Sequence, residues 1–142
     1  MNLPDENSKR FIAVLNKKIE IGRLMNALGH ITAGLATSVN VNEMCFLQYA
    51  DKDGSIHPNI SHFPFIVLKA DNGNKIRTVR NECIGRNIPF SDFTSTMTIG
   101  TSEDQQNATK NSLESELEYY GIVMFGNTEE LKEFTAKFSL FQ

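Results

Sequence analysis

Apolar positions open this chain as a short unbroken run, Phe11 to Leu15, with no polar residue alternating inside it. A run of strand length without alternation predicts a strand buried on both faces. The period then changes. Over residues 22–39, Leu24, Leu28, Ile31, Leu35 and Val39 recur three or four apart, with Met25 and Ala27 beside them. That is the stripe of a helix lying on a core. Gly29 and Gly34 interrupt it and lower its helix propensity, so close packing on a sheet or on a partner is the expected reason for them. Residues 44–49 and 55–60 read as strands flanking Asp51, Lys52, Asp53 and Gly54, where the Asp-Gly pair signals a turn. Residues 63–69 form the next strand, with Pro64 expected at its start or on an edge.

A second helix is predicted over residues 73–87, with Ile76, Val79, Cys83 and Ile84 on one face. Residues 89–93 form a short extended segment. Residues 94–112 are rich in Thr, Ser, Asn and Gln and read as a mobile loop with at most one helical turn. Residues 119–125 are a third apolar strand. Asn127 follows as an N-cap, with Glu130 in the box position, and the last helix packs Leu131, Phe134 and Phe138. Strand, helix, strands, helix, strand and helix in this order predict an α/β fold. The expected architecture is a three-layer α/β/α domain with a mixed sheet of about four strands and an added hairpin around residues 44–60. Residues 1–8 read as a flexible tail and residues 9–142 as a single domain.

Length and charge narrow the function classes. A chain of 142 residues can bury a core without disulfides or metals. Its apolar runs are far too short to span a bilayer, and its polar first residues carry no apolar signal region, so a cytoplasmic protein without membrane contact is expected. Cys45 and Cys83 sit in apolar-patterned segments and read as reduced core thiols, with no CxxC pair for zinc or redox work. Residues 1–90 carry eleven Lys/Arg against eight Asp/Glu, while residues 91–142 carry three against nine. This polarity permits an anionic ligand near the N-terminal elements without demanding one, and ordinary surface charge is the simpler account. Nucleic acid is neither demanded nor excluded. Neither Gly-rich nucleotide signature occurs, and His30, His57 and His62 have no metal-ligand spacing. No cofactor or metal is therefore expected.

Arg23, Asn26 and His30 form a stripe of their own, turned away from the apolar face of the first helix. Local hydrogen bonding of His30 and a solvated Arg23 would explain it. So would an anion such as a phosphate or carboxylate, which a guanidinium near the positive end of a helix suits physically. Arg80, at the edge of the second helix's apolar face, reads as a snorkelling side chain.

The first unit, from Lys9 through Asn16 to Ile21, Gly22, Arg23 and then His30 two helical turns on, resembles the opening of the peptidyl-tRNA hydrolase type II fold. With its Asn26 and small residues it is more similar still to the domain of unknown function 2000 family, which is assigned that fold. Residues 88–94 with Met97, and residues 120–127 followed by an acidic helix start, resemble the same family's later segments. The resemblance implies a site at the first strand–helix junction, holding Gly22, Arg23, Asn26 and His30, and places an acidic functional residue at Asp92. It also exposes departures. Ile21 stands where the hydrolase has a functional lysine, Gly121 falls near its threonine, and Phe93 and Thr94 follow Asp92. Isoleucine neither donates a hydrogen bond nor carries charge, so it cannot stabilise an oxyanion. Two expectations follow. One is a non-catalytic member of the fold that binds a small anionic ligand or a protein partner, a second copy included. The other is a hydrolase acting on an ester or amide through Asp92 and His30, which requires the two to converge.

Overall fold

A computed structural model describes residues 2–142, so residue 1 of the expected tail lies outside the described residues. The apolar run becomes β1, Lys9–Asn16, and it is central: the main sheet runs β5-β6-β1-β4-β7, with β4 at Phe65–Ala70, β5 at Phe90–Thr94, β6 at Tyr119–Asn127 and β7 at Ser139–Leu140. β1 pairs parallel with β4 and antiparallel with β6, and β5 and β7 close the edges antiparallel. Strand alternation sends Phe11, Ala13 and Leu15 to one face and Ile12 and Val14 to the other. Both sets are buried, which is why the run shows no polar positions.

Each face has its own helical cover. Helix α1, Ile21–Ser38, packs Leu24, Ala27, Ile31 and Leu35 on the first face with Phe93, Tyr120 and Val123. Helix α3, Gly73–Arg86, packs Ile76, Val79 and Cys83 on the second face, where Leu131 of α5, Thr128–Thr135, joins them. Burial pushes the Cys83 thiol up to about 12, as befits an inert core cysteine. Gly34 and Gly29 separate cleanly. A Cβ at Gly34 would stand 3.3 Å from Ser91 Oγ, whereas one at Gly29 would meet nothing within 4 Å. Packing on the sheet thus explains the first and not the second.

The expected hairpin exists but stands apart, as a two-stranded sheet of β2, Phe46–Ala50, and β3, Ile56–Ser61, preceded by the short helix α2, Val41–Met44. Asp51 Oδ1 accepts from the Asp53 and Ser55 amides, both at 3.0 Å, and fixes its turn.

Two expectations need correction. Residues 94–112 are not a loop with a single turn: they hold a 3-10 turn, Ser95–Thr98, and helix α4, Ser102–Lys110. A reciprocal box between Thr101 and Asp104 starts α4, and none of its residues is buried, so no apolar stripe announces it. The sheet has five strands, because the last helix stops at Thr135 and the chain turns at Phe138 into β7.

A cleft between the first helix and the fifth strand

The β1–α1 junction is pinned from below. Asn16, buried at the end of β1, donates from Nδ2 to the Tyr119 carbonyl at 3.1 Å and accepts the Lys18 amide on Oδ1 at 3.0 Å. The chain then rises through Ile19 to Glu20, which precedes α1 without capping it through its side chain, and the first turn holds no acidic residue. The carboxylate of Glu20 thus stands at the positive end of α1 without bonding its first amides.

Along the exposed stripe of α1, Gly22, Arg23, Asn26 and His30 line one open cleft of about 520 Å³. A Cβ at Gly22 would meet nothing within 4 Å, so packing does not require a glycine at this point of the cleft. The opposite wall is Phe93 from β5, Met97 and Thr98 from the 3-10 turn, and Gln105 from α4. The His30 ring stacks on Phe93, centroids 5.9 Å apart and planes 29° apart. A chain of hydroxyls holds this wall in place: Thr94 to Thr96 and Thr96 to Thr109, each at 2.7 Å, tie β5, the turn and α4 together.

Arg23 makes no ion pair among the described residues, and Glu20 is the one carboxylate lining the cleft. Gln105 and Thr98 lie in the segment whose composition predicts a loop, and the Thr101–Asp104 box is the signal in the sequence for the helix carrying Gln105.

Asp92 does not join the stripe. An adjoining hollow of about 390 Å³ runs from His30 and Phe93 to Ser91, Asp92 and Ser102, but the Asp92 carboxylate turns through β5 to the other face. There it accepts from Arg80 Nε at 3.0 Å. The neighbours agree with this alternation: Phe93 packs with α1, while Phe90 packs with the α3 core and lies under Arg80, 5.7 Å from ring centroid to guanidinium carbon. Burial raises the Asp92 carboxyl above the ordinary carboxylate range, although the charge and hydrogen bond of Arg80 pull it back. Arg80, expected to snorkel, is thus half of a partly buried ion pair. The three histidines stay apart too: His57 Nε2 lies 2.9 Å from Asp51 Oδ2, and His62 Nε2 2.7 Å from the Pro4 carbonyl. Among the described residues no three His, Cys, Asp or Glu gather as a metal would require, and no helix is long and apolar enough to cross a membrane.

A family model described as protein of unknown function (DUF2000) matches residues 9–142. Among solved structures, the chain is similar to a protein of unknown function from Agrobacterium tumefaciens strain C58, Atu0240, with a TM-score of 0.81 and 15% identity over 95% of this chain and 98% of that one. At that identity the likeness speaks for the fold alone. No curated protein matches the chain.

Proposed function

This chain belongs to the DUF2000 family of proteins of unknown function, and from that premise we propose that it is a ligand-binding, non-hydrolytic domain with a peptidyl-tRNA hydrolase type II-like fold. Its ligand is a small anion held in the α1 cleft. One observation carries this: Gly22, Arg23, Asn26 and His30 line a single open cleft in which the Arg23 guanidinium makes no ion pair among the described residues. A phosphate or carboxylate there would meet a planar donor fork, the Asn26 amide and the His30 ring beside the uncapped start of an 18-residue helix.

Hydrolysis of an ester or amide by Asp92 and His30 is the weaker reading. It needs both side chains at one reacting atom, and the Asp92 carboxylate is engaged by Arg80 on the far face of β5. Ile21 supplies no charge where the resemblance calls for a lysine.

Titration with inorganic phosphate and with acetate, followed by amide chemical shifts, tests the proposal. Saturable shifts at Arg23, Asn26 and His30 for at least one anion are expected, weakened about tenfold or more in Arg23→Gln, roughly the 1.4 kcal/mol that a tenfold loss represents. Binding unaffected by Arg23→Gln would sink it. Peptidyl-tRNA cleavage by the unsubstituted protein, abolished in His30→Ala, would overturn the non-hydrolytic part.

A further inference from the structure

We propose a second anion site, distinct from the α1 cleft, in the hollow at the carboxyl end of β4, and we infer that it takes a phosphate group. β7 joins the sheet on the side of β4 away from β1, with Ser139 opposite Lys69. Where β4 ends beside it, Lys69, Asp71 and Lys75 on one side and Lys137, Phe138 and Ser139 on the other line a cavity of about 180 Å³.

The charges in this hollow run against the rest of the chain. The protein as a whole is acidic, at −3, but here the single carboxylate, Asp71, is already taken by Lys17 Nζ at 3.0 Å. Lys69, Lys75 and Lys137 make no ion pair among the described residues. The Asp71 carboxyl is held low, first by the Lys17 hydrogen bond and charge, then by the charges of Lys75 and Lys18, so several lysine fields converge on this point. Lys75 is also placed at a cost. It sits in the first turn of α3, which holds no acidic residue of its own and where a cation opposes the helix dipole; the Asp71 carboxylate just before the helix acts on it while bonded to Lys17. Three lysines that form no ion pair among the described residues, around a small cavity, suit a doubly charged group with three acceptor oxygens better than a carboxylate. The volume admits phosphate or a small phosphorylated molecule.

The test titrates the full chain with inorganic phosphate and, separately, with a 5′-phosphorylated RNA oligonucleotide, at constant ionic strength, reading amide shifts. Saturable shifts at Lys69, Lys75 and Ser139 with phosphate are expected, retained in Arg23→Gln and weakened at least tenfold in Lys75→Gln/Lys137→Gln. Both lysines are exposed, and this double variant should melt at the same or a higher temperature in phosphate-free buffer. Absence of these shifts, shifts equal in the double variant, or a lower melting temperature of that variant would each overturn the proposal. Tighter binding of the oligonucleotide than of phosphate, through the same residues, would overturn the small-molecule assignment.

Discussion

Helices α1 and α3 cover opposite faces of one sheet and treat their arginines in opposite ways. Each arginine of α3 has a carboxylate and an aromatic ring: Arg77 meets Glu114 and Tyr119, Arg80 meets Asp92 and Phe90, and Arg86 meets Glu82 and Glu133 and lies on Phe134. Arg23 of α1 has neither among the described residues, and it lines an open cleft. A saturated guanidinium is spent on holding the fold together, while a free one beside a cavity retains five donors for something else. The difference separates structural charge from charge available to a ligand without any appeal to reaction chemistry.

The sharpest way to break this contrast is to remove one arginine from each helix. Arg77 donates from Nε to Glu114 Oε2 at 2.7 Å, from Nη2 to the Glu114 and Leu117 carbonyls at 3.1 and 2.8 Å, and from Nη1 to Asn74. It thereby clamps the segment entering β6 onto α3. Arg77→Ala strands these acceptors and is expected to lower unfolding free energy in urea by about 2–4 kcal/mol. Arg23→Ala should change it by less than about 0.5 kcal/mol, as for an exposed side chain without partners. Equal losses would mean that Arg23 is structural after all.

Glycines give a smaller version of the same comparison. A Cβ at Gly73, at the start of α3, would lie 3.2 Å from both the backbone nitrogen and the carbonyl oxygen of Tyr119, atoms that cannot swing aside. Gly73→Ala should therefore cost about 1–3 kcal/mol through overpacking. Gly29 on α1 faces open space, so Gly29→Ala should gain up to about 1 kcal/mol of helix propensity. Thermal melts combined with light scattering check both. If Gly29→Ala instead lost stability while a dimer dissociated, the expected homodimer would acquire its contact face.

What the sequence made legible follows the same physics. β1, α1 and β6 announce themselves because burial imposes a pattern on their side chains, and the spacing of Arg23, Asn26 and His30 puts them on one helical stripe, which lines one cleft together with Gly22. α4 leaves no period in the sequence because none of its residues is fully buried, and β7 because two residues are too few to carry one. The pairing of Asp92 with Arg80 was illegible for another reason. It depends on which face of β5 Asp92 takes and on the way α3 lies across it, and neither is encoded in the local pattern around Asp92.

That pair also supplies the subtlest test of the contrast between the helices. Burial raises the Asp92 carboxyl despite Arg80, so the folded chain holds this proton more tightly than the unfolded one. The group's contribution is then most favourable at low pH and declines as pH rises from the ordinary carboxylate value, about 4, through the raised folded value. Asp92→Asn cannot titrate and should lack this decline. Urea midpoints measured from about pH 4 to about pH 7 should therefore move in favour of the variant as pH rises, by less than about 1 kcal/mol in all. A shift in the opposite direction would mean that Arg80 outweighs burial and that the ion pair is a net stabiliser. In either case anion binding in the α1 cleft should be unchanged in the variant, because the carboxylate faces α3. A loss of binding would couple the two faces of β5 and bring Asp92 back into the site.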